Sequence, residues 1–453
     1  AVEDYMAYGY IPDDACLIAG VRKLGAGETL RLVRGRPLPQ PHRYWDVSFA
    51  DRSKAKPEAL EEELVALMRQ AVRSRMIADV PLGAFLSGGV DSSSVVALMA
   101  EASQRAVKTC TIGFDVASLD ETAYADRVAR RFATDHRARI VSPNDYGLID
   151  TLAHHFDEPF ADASALPTYR VCELAREQVT VALSGDGADE AFAGYRRHVF
   201  HAAEERARGA LPLPLRRAVF GPLATLYPKA DWAPRPLRAK TTFQSLALSG
   251  EEAYERALGV MSPELRGRIF SPAMKRELGG YRAEQPLIEL MRNAPARSGL
   301  DRAQYADLKF WLPGDILTKT DRTSMAVGLE AREPLLDHRL IEFGARLPHR
   351  ERLRGTSGKW LMKRTMERYL PDEILYRQKQ GFVTPLAEWF RGPLASEARA
   401  IASSELLTGN GLFARKALAR LADEHISGRS DHGRVLWQLL MLERSLRHLK
   451  PSA

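Results

Sequence analysis

Apolar positions between residues 80 and 200 alternate between short continuous runs and longer stretches with helical spacing. A short continuous apolar run is typical of a strand that is buried on both faces of a parallel sheet. The runs that we predict to be strands are 80–86, 108–114, 138–142 and 179–185. Helices are predicted between them at 92–102, with serine hydroxyls capping its start, and at 121–135. This alternation predicts an α/β fold with a doubly wound parallel sheet, which binds ligands at the carboxyl ends of its strands.

The pattern changes on both sides of this core. Short alternating stretches broken by Gly and Pro predict an antiparallel hairpin at 27–45, followed by a polar linker at 51–58 and a helix at 60–76. The hairpin segment is too short to bury a core of its own. The predicted parts are therefore the end of a β-rich domain whose main body is absent (1–46), the sheet-containing core (60–200) and a mostly helical part (201–453).

The composition of the chain excludes several classes of protein. The 453 residues are 45% apolar and 27% charged, which is typical of a globular protein and excludes global disorder. The net charge of +7 is best explained by solvated arginine-rich helix faces, because no basic stretch interleaved with aromatic residues indicates a nucleic-acid partner. The three cysteines form no CxxC pair, so a zinc ribbon or disulfide scaffold is not expected. With no apolar run long enough for a membrane helix, we expect a cytoplasmic protein without a membrane partner.

The clearest chemical signal follows the first predicted strand, where the chain reads Leu86-Ser87-Gly88-Gly89-Val90-Asp91-Ser92-Ser93. Two glycines allow a tight turn with inward N–H groups, and a helix N-terminus adds unpaired donors, so the segment can cradle an anion. The serine hydroxyls add further donors. The carboxylate of Asp91 would repel a phosphate unless a cation lay between them, which predicts bound Mg²⁺.

A second loop of the same kind follows the strand at 179–185 and reads Ser184-Gly185-Asp186-Gly187-Ala188-Asp189-Glu190. Carboxylates at the ends of two strands in one sheet can share a metal ion. Asp91 and Asp189 are the predicted Mg²⁺ ligands. The alternative for the second loop is an acidic cap on a helix that begins near Asp189.

The first loop lacks the Gly-Lys-Ser/Thr of a Walker A motif and is not a GxGxxG motif. It resembles the pyrophosphate loop (PP-loop) of ATP pyrophosphatases, the alternative being an ordinary Gly/Ser turn. Together with the second loop, it resembles the synthetase domain of class B, glutamine-dependent asparagine synthetases. The similarity continues through 312–343 and 359–382, and residues 1–46 resemble the end of that family's N-terminal-nucleophile glutaminase domain. That domain would carry an N-terminal Cys, whereas this chain begins at Ala1, so we expect the catalytic part of the glutaminase to be missing.

The resemblance implies roles for individual residues. Those matching the family's ATP contacts are Leu86, Ser87, Gly88, Gly89, Asp91, Ser92, Ser93, Ile112, Ser184 and Gly185. For Leu86 and Ile112 the alternative is plain core packing. Those matching catalytic positions are Ser87, Ser92, Asp186 and Lys379. Asp186 stands where many asparagine synthetases have Glu, and the alternative for Lys379 is a solvated surface residue.

Some charged residues further along the chain are expected to line the site, and others are expected only to support the fold. Lys319, Asp321 and Arg322 belong to a stretch that lines the site in the relatives. For Arg332, Glu333 and Asp337, an ion-pair network that only supports the fold is the alternative.

The reaction implied by the resemblance uses ATP and Mg²⁺ to adenylate a carboxylate, with release of pyrophosphate. Ammonia, delivered from glutamine through a glutaminase domain, then displaces AMP and forms an amide. The expected acceptor is aspartate, and a homodimer is a further expectation. The alternatives are the same chemistry on another carboxylate or amine, including β-lactam or macrolactam closure, and an inactive binding protein. A tRNA-modifying enzyme shares the loop but would need paired cysteines or an RNA-binding extension, and neither is present.

Overall fold

The computed structural model describes residues 1–12, 15–114, 120–142, 145–227, 239–377 and 384–449. Within these residues, no helix is both long enough and apolar enough to cross a membrane. The strands are β1 (Glu28–Thr29), β2 (His42–Arg43), β3 (Leu82–Phe85), β4 (Lys108–Phe114), β5 (Asp135–Val141), β6 (Val181–Leu183), β7 (Glu330–Arg332), β8 (Leu353–Arg354) and β9 (Ser357–Gly358).

Helices make up most of the rest of the described chain. The first group is α1 (Val2–Tyr8), α2 (Pro57–Arg75), α3 (Val90–Ala102), α4 (Thr122–Arg131), α5 (Ile149–His155), α6 (Ala165–Arg176) and α7 (Ala188–Ala191). The second is α8 (Arg196–Ala210), α9 (Leu213–Leu226), α10 (Lys240–Leu246), α11 (Gly250–Leu258), α12 (Pro263–Ile269), α13 (Pro272–Leu278), α14 (Glu284–Arg292) and α15 (Gly299–Ala306). The third is α16 (Thr318–Met325), α17 (His338–Arg346), α18 (His349–Arg352), α19 (Trp360–Met366), α20 (Asp372–Leu375), α21 (Leu386–Arg391), α22 (Ala395–Ile401), α23 (Arg415–Ile426) and α24 (Gly433–Leu449). A π-helical segment, Asp307–Leu317, joins α15 to α16.

The central element is a parallel sheet whose strands, as far as the chain is described, follow the order β5-β4-β3-β6-β7. The chain moves outward from β3 through β4 to β5 and then returns to the other side of β3 with β6 and β7. The direction of winding therefore reverses between β3 and β6, which is where open α/β sheets bind their ligands. The predicted α/β parallel sheet is confirmed.

Apolar packing covers both faces of this sheet. A hydrophobic cluster on one face joins α2, α3, α17 and α19 to β3, and a smaller cluster on the other face joins α6 to β4 and β6. The largest cluster belongs to the helical part, and it includes α1, with Tyr5 and Tyr8 buried. The first helix is therefore an integral part of the helical core.

Several predicted elements differ in their bounds. Helix α3 begins at Val90, and no side chain caps it, since Gly89 holds the N-cap position. The prediction of a serine cap at 92 was therefore wrong, and the hydroxyl of Ser92 bonds within the loop instead. Strand β5 begins three residues before the predicted 138, because it pairs with β4 along its whole length. The β1–β2 hairpin is antiparallel as predicted.

Strand β7 was not predicted. It consists of Glu330, Ala331 and Arg332, a sequence without an apolar run, and it forms at the sheet edge by pairing with β6. A strand this short depends on the neighbouring backbone rather than on its own side chains.

Candidate active site

Both loops singled out from the sequence lie at the carboxyl edge of adjacent strands. The first follows β3 and the second follows β6, and these two strands pair in parallel. The loops touch, because a Cβ on Gly185 would lie 2.6 Å from the amide nitrogen of Ser92. A residue without a side chain is therefore needed where the second loop crosses the start of α3.

The first loop is held by hydrogen bonds among its own serines. The amide of Ser87 donates to the hydroxyl oxygen of Ser92 at 3.2 Å, and the two hydroxyl oxygens are 3.1 Å apart. Gly88 has a φ of +70°, and a Cβ there would lie 2.5 Å from Cβ of Tyr124. The loop therefore turns tightly against α4, and the uncapped N-terminus of α3 is left with donors that suit an anion.

The two predicted metal ligands converge on one lysine. Nζ of Lys359 lies 2.6 Å from Oδ2 of Asp91 and 2.7 Å from Oδ1 of Asp189. Lys359 is only 3% exposed and has a φ of +56°, which is uncommon outside glycine. Its amide donates to the carbonyl oxygen of Phe192 at 3.0 Å, which fixes the turn before α19.

Electrostatics keep this lysine charged. Burial alone would favour the neutral amine, but Asp189 and Asp91 hold the pKa of Lys359 above its usual value. The sequence predicted a bound cation, Mg²⁺, between these carboxylates and a phosphate. The ammonium of Lys359 supplies part of that positive charge. Sequence reasoning missed Lys359, although it opens the 359–382 stretch that carries the family resemblance.

A second missed cation touches the first loop. Arg377 donates from Nε to the carbonyl oxygen of Gly88 at 3.2 Å and from Nη1 to Glu121 at 2.6 Å. Its guanidinium also lies 4.5 Å from the ring centre of Tyr124. Arg377 stands two residues before Lys379, which lies outside the described residues, so the role of Lys379 stays a prediction.

Carboxylates gather at the ends of β6 and β7. Oδ2 of Asp186 accepts hydrogen bonds from the hydroxyls of Ser184 at 2.8 Å and Thr320 at 3.3 Å. Glu333 follows β7 directly, and burial, followed by the nearby charges of Asp186 and Asp321, raises the pKa of Glu333 to about 7. The group is suited to bind or accept a proton near neutral pH.

The remaining residues divide between the site and its scaffold. Nζ of Lys319 lies 2.8 Å from Oδ2 of Asp162 and 2.8 Å from Oγ of Ser164, which ties α16 to the start of α6. Arg322 pairs with Asp157 at 2.5 Å. Asp337 forms an ion-pair network with Arg75 and Arg339, as the structural alternative expects.

Arg332 also supports the fold, because it donates to the carbonyl oxygens of Arg75 and Ile77, both at 2.8 Å. Glu333 differs from these neighbours. Among the described residues it has no salt bridge within 4 Å, so the structure does not make it part of that network.

Leu86, Ile112 and Ser93 are buried, and the two apolar side chains lie within hydrophobic clusters. This agrees with the core-packing alternative, while their predicted contact with ATP stays a prediction. The N-cap of α7 is Gly187, with no side-chain cap, so the acidic residues of the second loop do not cap that helix.

The residues present fit a magnesium ion. Asp91 and Asp189 lie at neighbouring strand ends, and both pair with Nζ of Lys359. Carboxylate oxygens suit Mg²⁺, which usually also takes ligands from substrate phosphates, so a magnesium ion would share these two carboxylates with Lys359. Asp91 and Asp189 would hold the ion. Within the described residues no group of three or more His, Cys, Asp or Glu has a metal-binding arrangement, so the protein would supply only these two carboxylates.

Sequence comparisons identify the family to which the chain is related. Residues 63–447 match the sequence profile of the asparagine synthase family. A Mycobacterium bovis protein named for asparagine synthetase (glutamine-hydrolysing) is 34% identical over 450 residues, which cover 97% of this chain and 66% of that protein. Asparagine synthetase (glutamine-hydrolysing) 1 of Bacillus subtilis is 29% identical over 455 residues, covering 97% and 67%. Amidase chry2 of Gibberella zeae is 26% identical over 443 residues, covering 87% and 62%.

The chain thus spans 66% of the length of the mycobacterial relative. The profile match covers most of the chain and includes both loops. The resemblance seen in the sequence is confirmed, and the chain belongs to the asparagine synthase family.

Proposed function

We propose that this chain is the synthetase part of an ATP-dependent amide ligase with a PP-loop fold. The observation that carries the proposal is the convergence of Asp91 and Asp189, from two strand-end loops, on the buried ammonium of Lys359. A charged site at the winding reversal of a parallel sheet suits a nucleotide polyphosphate.

The first half-reaction activates a carboxylic acid. A carboxylate oxygen attacks the α-phosphorus of ATP, the bond from that phosphorus to the bridging oxygen breaks, and an acyl-adenylate and pyrophosphate form. Magnesium, when bound, disperses charge on the phosphate oxygens. The loop amides, the hydroxyls of Ser87 and Ser92, and Lys359 stabilise the negative charge of the departing group.

The second half-reaction forms the amide. A nitrogen nucleophile attacks the acyl carbon, AMP leaves, and the nitrogen loses a proton. Asp186 is positioned by Ser184 and Thr320 and orients the nucleophile in this proposal. In this proposal the nitrogen is ammonia released from glutamine by a glutaminase domain, and the names of the relatives describe those proteins as glutamine-hydrolysing.

Aspartate is the acceptor that the resemblance favours. Another carboxylate is the second candidate, because Asp186 is one methylene shorter than glutamate and therefore leaves more room beside the nucleophile. The amidase name of the Gibberella zeae relative also favours keeping this candidate. With either acceptor, Lys379 would stabilise the α-phosphate in the transition state of adenylation.

ATP–pyrophosphate exchange with a panel of carboxylic acids tests the proposal. Exchange that depends on aspartate supports the first candidate, and exchange that depends on another acid supports the second. Asp91→Asn should abolish the exchange, whereas Gly209→Ala on α8, where a Cβ meets nothing within 4 Å, should not change it. A chain that binds ATP but exchanges with no acid would instead be the inactive binding protein.

A further inference from the structure

The two carboxylates that suit a metal ion are already paired with a cation of the protein. Nζ of Lys359 lies within 2.7 Å of an oxygen of both Asp91 and Asp189. A divalent cation bound to the same carboxylates would lie beside this ammonium, and the two positive charges would repel each other. Because Lys359 is buried, water screens this repulsion poorly.

Packing holds the ammonium of Lys359 in this position. A Cβ on Gly194 would lie 2.1 Å from Cε of Lys359 and 2.1 Å from Oδ1 of Asp189, so both side chains lie directly against the backbone of Gly194. The backbone of Lys359 is fixed as well, because its amide donates to Phe192 and its carbonyl oxygen accepts from the amide of Lys363 at 2.9 Å. The ammonium therefore cannot leave the two carboxylates without displacing its neighbours.

The other charged groups near the two carboxylates add positive charge. Asp91 lies in the first turn of α3, whose uncapped N-terminus carries a partial positive charge. Lys363 lies one helical turn after Lys359 and is close enough to Asp91 and Asp189 for their charges to act on its ammonium. Its Nζ donates to Oγ of Ser357 at 3.1 Å, and it has no salt bridge to any residue that the structure describes. Two carboxylates are thus matched by two ammonium groups, so the site offers a bare cation no net negative charge.

A nucleotide changes this balance. The phosphates of ATP carry more negative charge than one divalent cation neutralises, so their oxygens can bind the cation and also accept from Lys359 and the loop amides. We propose that Lys359 keeps a bare divalent cation from Asp91 and Asp189 and admits the cation only together with the nucleotide. This inference rests on the proposed function, because it takes these two carboxylates as the ligands of the metal.

Equilibrium dialysis of Mn²⁺ against the full chain tests the inference, since Mn²⁺ binds the same oxygen ligands as Mg²⁺. Wild type should retain Mn²⁺ in the presence of α,β-methylene-ATP, which the reaction cannot cleave, and almost none without it. Lys359→Met should bind Mn²⁺ alone at least about tenfold more tightly than wild type does, because the repelling ammonium is gone. Mn²⁺ alone should also raise the melting temperature of Lys359→Met and not that of wild type, because an ion that binds only the folded state stabilises it.

Two further variants serve as controls. Lys363→Met removes a cation that is bonded to neither carboxylate, so its affinity for Mn²⁺ alone should rise less than that of Lys359→Met. Asp91→Asn combined with Lys359→Met should lose the gain in affinity, because one of the two ligands is gone.

The result for wild type can overturn the inference whether or not Lys359→Met folds. Wild type that binds Mn²⁺ as tightly without the nucleotide analogue as with it would do so, and it would leave the proposed function standing. A folded Lys359→Met variant that binds Mn²⁺ alone no more tightly than wild type would overturn the inference too. Wild type that retains no Mn²⁺ even with the analogue would contradict the proposed function as well.

Discussion

Nζ of Lys359 lies 2.6 Å from Oδ2 of Asp91, a residue 268 positions earlier in the chain. The same nitrogen lies 2.7 Å from Asp189. One buried ammonium therefore pairs with two carboxylates contributed by two different strand ends. This arrangement joins the candidate nucleotide site to the stability of the fold, because removal of Lys359 would leave the two carboxylates close together without their shared cation.

The first prediction concerns Lys359→Met. Loss of the ammonium leaves Asp91 and Asp189 close together without their common cation, so we expect the free energy of unfolding to fall by about 3–5 kcal/mol. ATP–pyrophosphate exchange should be lost as well. Urea denaturation gives the stability. Combining this change with Asp91→Asn should destabilise by less than the sum of the single changes, and strict additivity would contradict the ion-pair interpretation.

The second prediction concerns the contact between the two loops. In Gly185→Ala the new Cβ would lie 2.6 Å from the amide nitrogen of Ser92, so the loops must separate. We expect a cost of about 1–3 kcal/mol in stability and a higher KM for ATP, because the start of α3 moves. Gly209→Ala is the matched control and should keep the KM of wild type. An unchanged KM in Gly185→Ala would show that the loop contact does not affect nucleotide binding.

The third prediction concerns the pH dependence of stability. Burial raises the pKa of Glu333 to about 7, from an ordinary value of 4.5. Its contribution to stability is therefore complete below pH 4.5 and is lost as the pH rises through 7. Glu333→Gln stays neutral, so it should match wild type at pH 4 and exceed it by up to about 3 kcal/mol at pH 8.

Denaturation at the two pH values measures this difference. The exposed Glu289 of α14 provides the control, since Glu289→Gln should give the same difference from wild type at both. A Glu333→Gln variant with no gain at pH 8 would show that this carboxyl is already charged at neutral pH without penalty.

The fourth prediction concerns the nitrogen source used by this polypeptide. Burial raises the pKa of Cys172 to about 12 and also raises that of Cys110, and the pKa of Cys16 is raised as well, mainly by burial. These are the three cysteines of the chain, so it has no thiol activated for attack at neutral pH. The purified chain should form amide and AMP with ammonium but release no glutamate from glutamine. Glutamate release at the rate of AMP formation would show that another nucleophile acts.

The sheet and its two loops could be predicted because their signals are local. Strand β4 agrees with its predicted bounds, since the apolar run at 108–114 pairs on both sides. The glycine and serine positions after β3 likewise predicted a tight loop before a helix, which the structure confirms. The helix cap was wrong because Ser92 lies inside α3, where its hydroxyl accepts from the amide of Ser87 and donates to the carbonyl oxygen of Gly89, and it accepts from no amide of the helix start.

The remaining parts of the site depend on long-range contacts. Apart from its place at the start of the 359–382 stretch, no local pattern distinguishes Lys359 from the other lysines until the fold places it beside Asp91 and Asp189. Arg377 donates a hydrogen bond to the carbonyl oxygen of Gly88, which lies 289 positions earlier in the chain. This bond depends on the conformation of the loop after β3, which the local sequence pattern around Arg377 does not specify. Tertiary context also explains β7, whose charged residues become a strand only because β6 lies beside them.

The distance along the chain between Asp91 and Lys359 has a consequence for synthesis. A ribosome that adds about 5–20 residues per second needs roughly 13–54 s to cover those 268 positions. Once β6 and Asp189 have been made, the nascent sheet can pair β3 with β4 and β6. Until Lys359 follows, however, the two carboxylates lack their shared cation, and the β6 edge stays unpaired until β7 is made. The emerging chain should therefore be open to chaperones and proteases until its last third has been made, and the candidate active site should be among the last features to form.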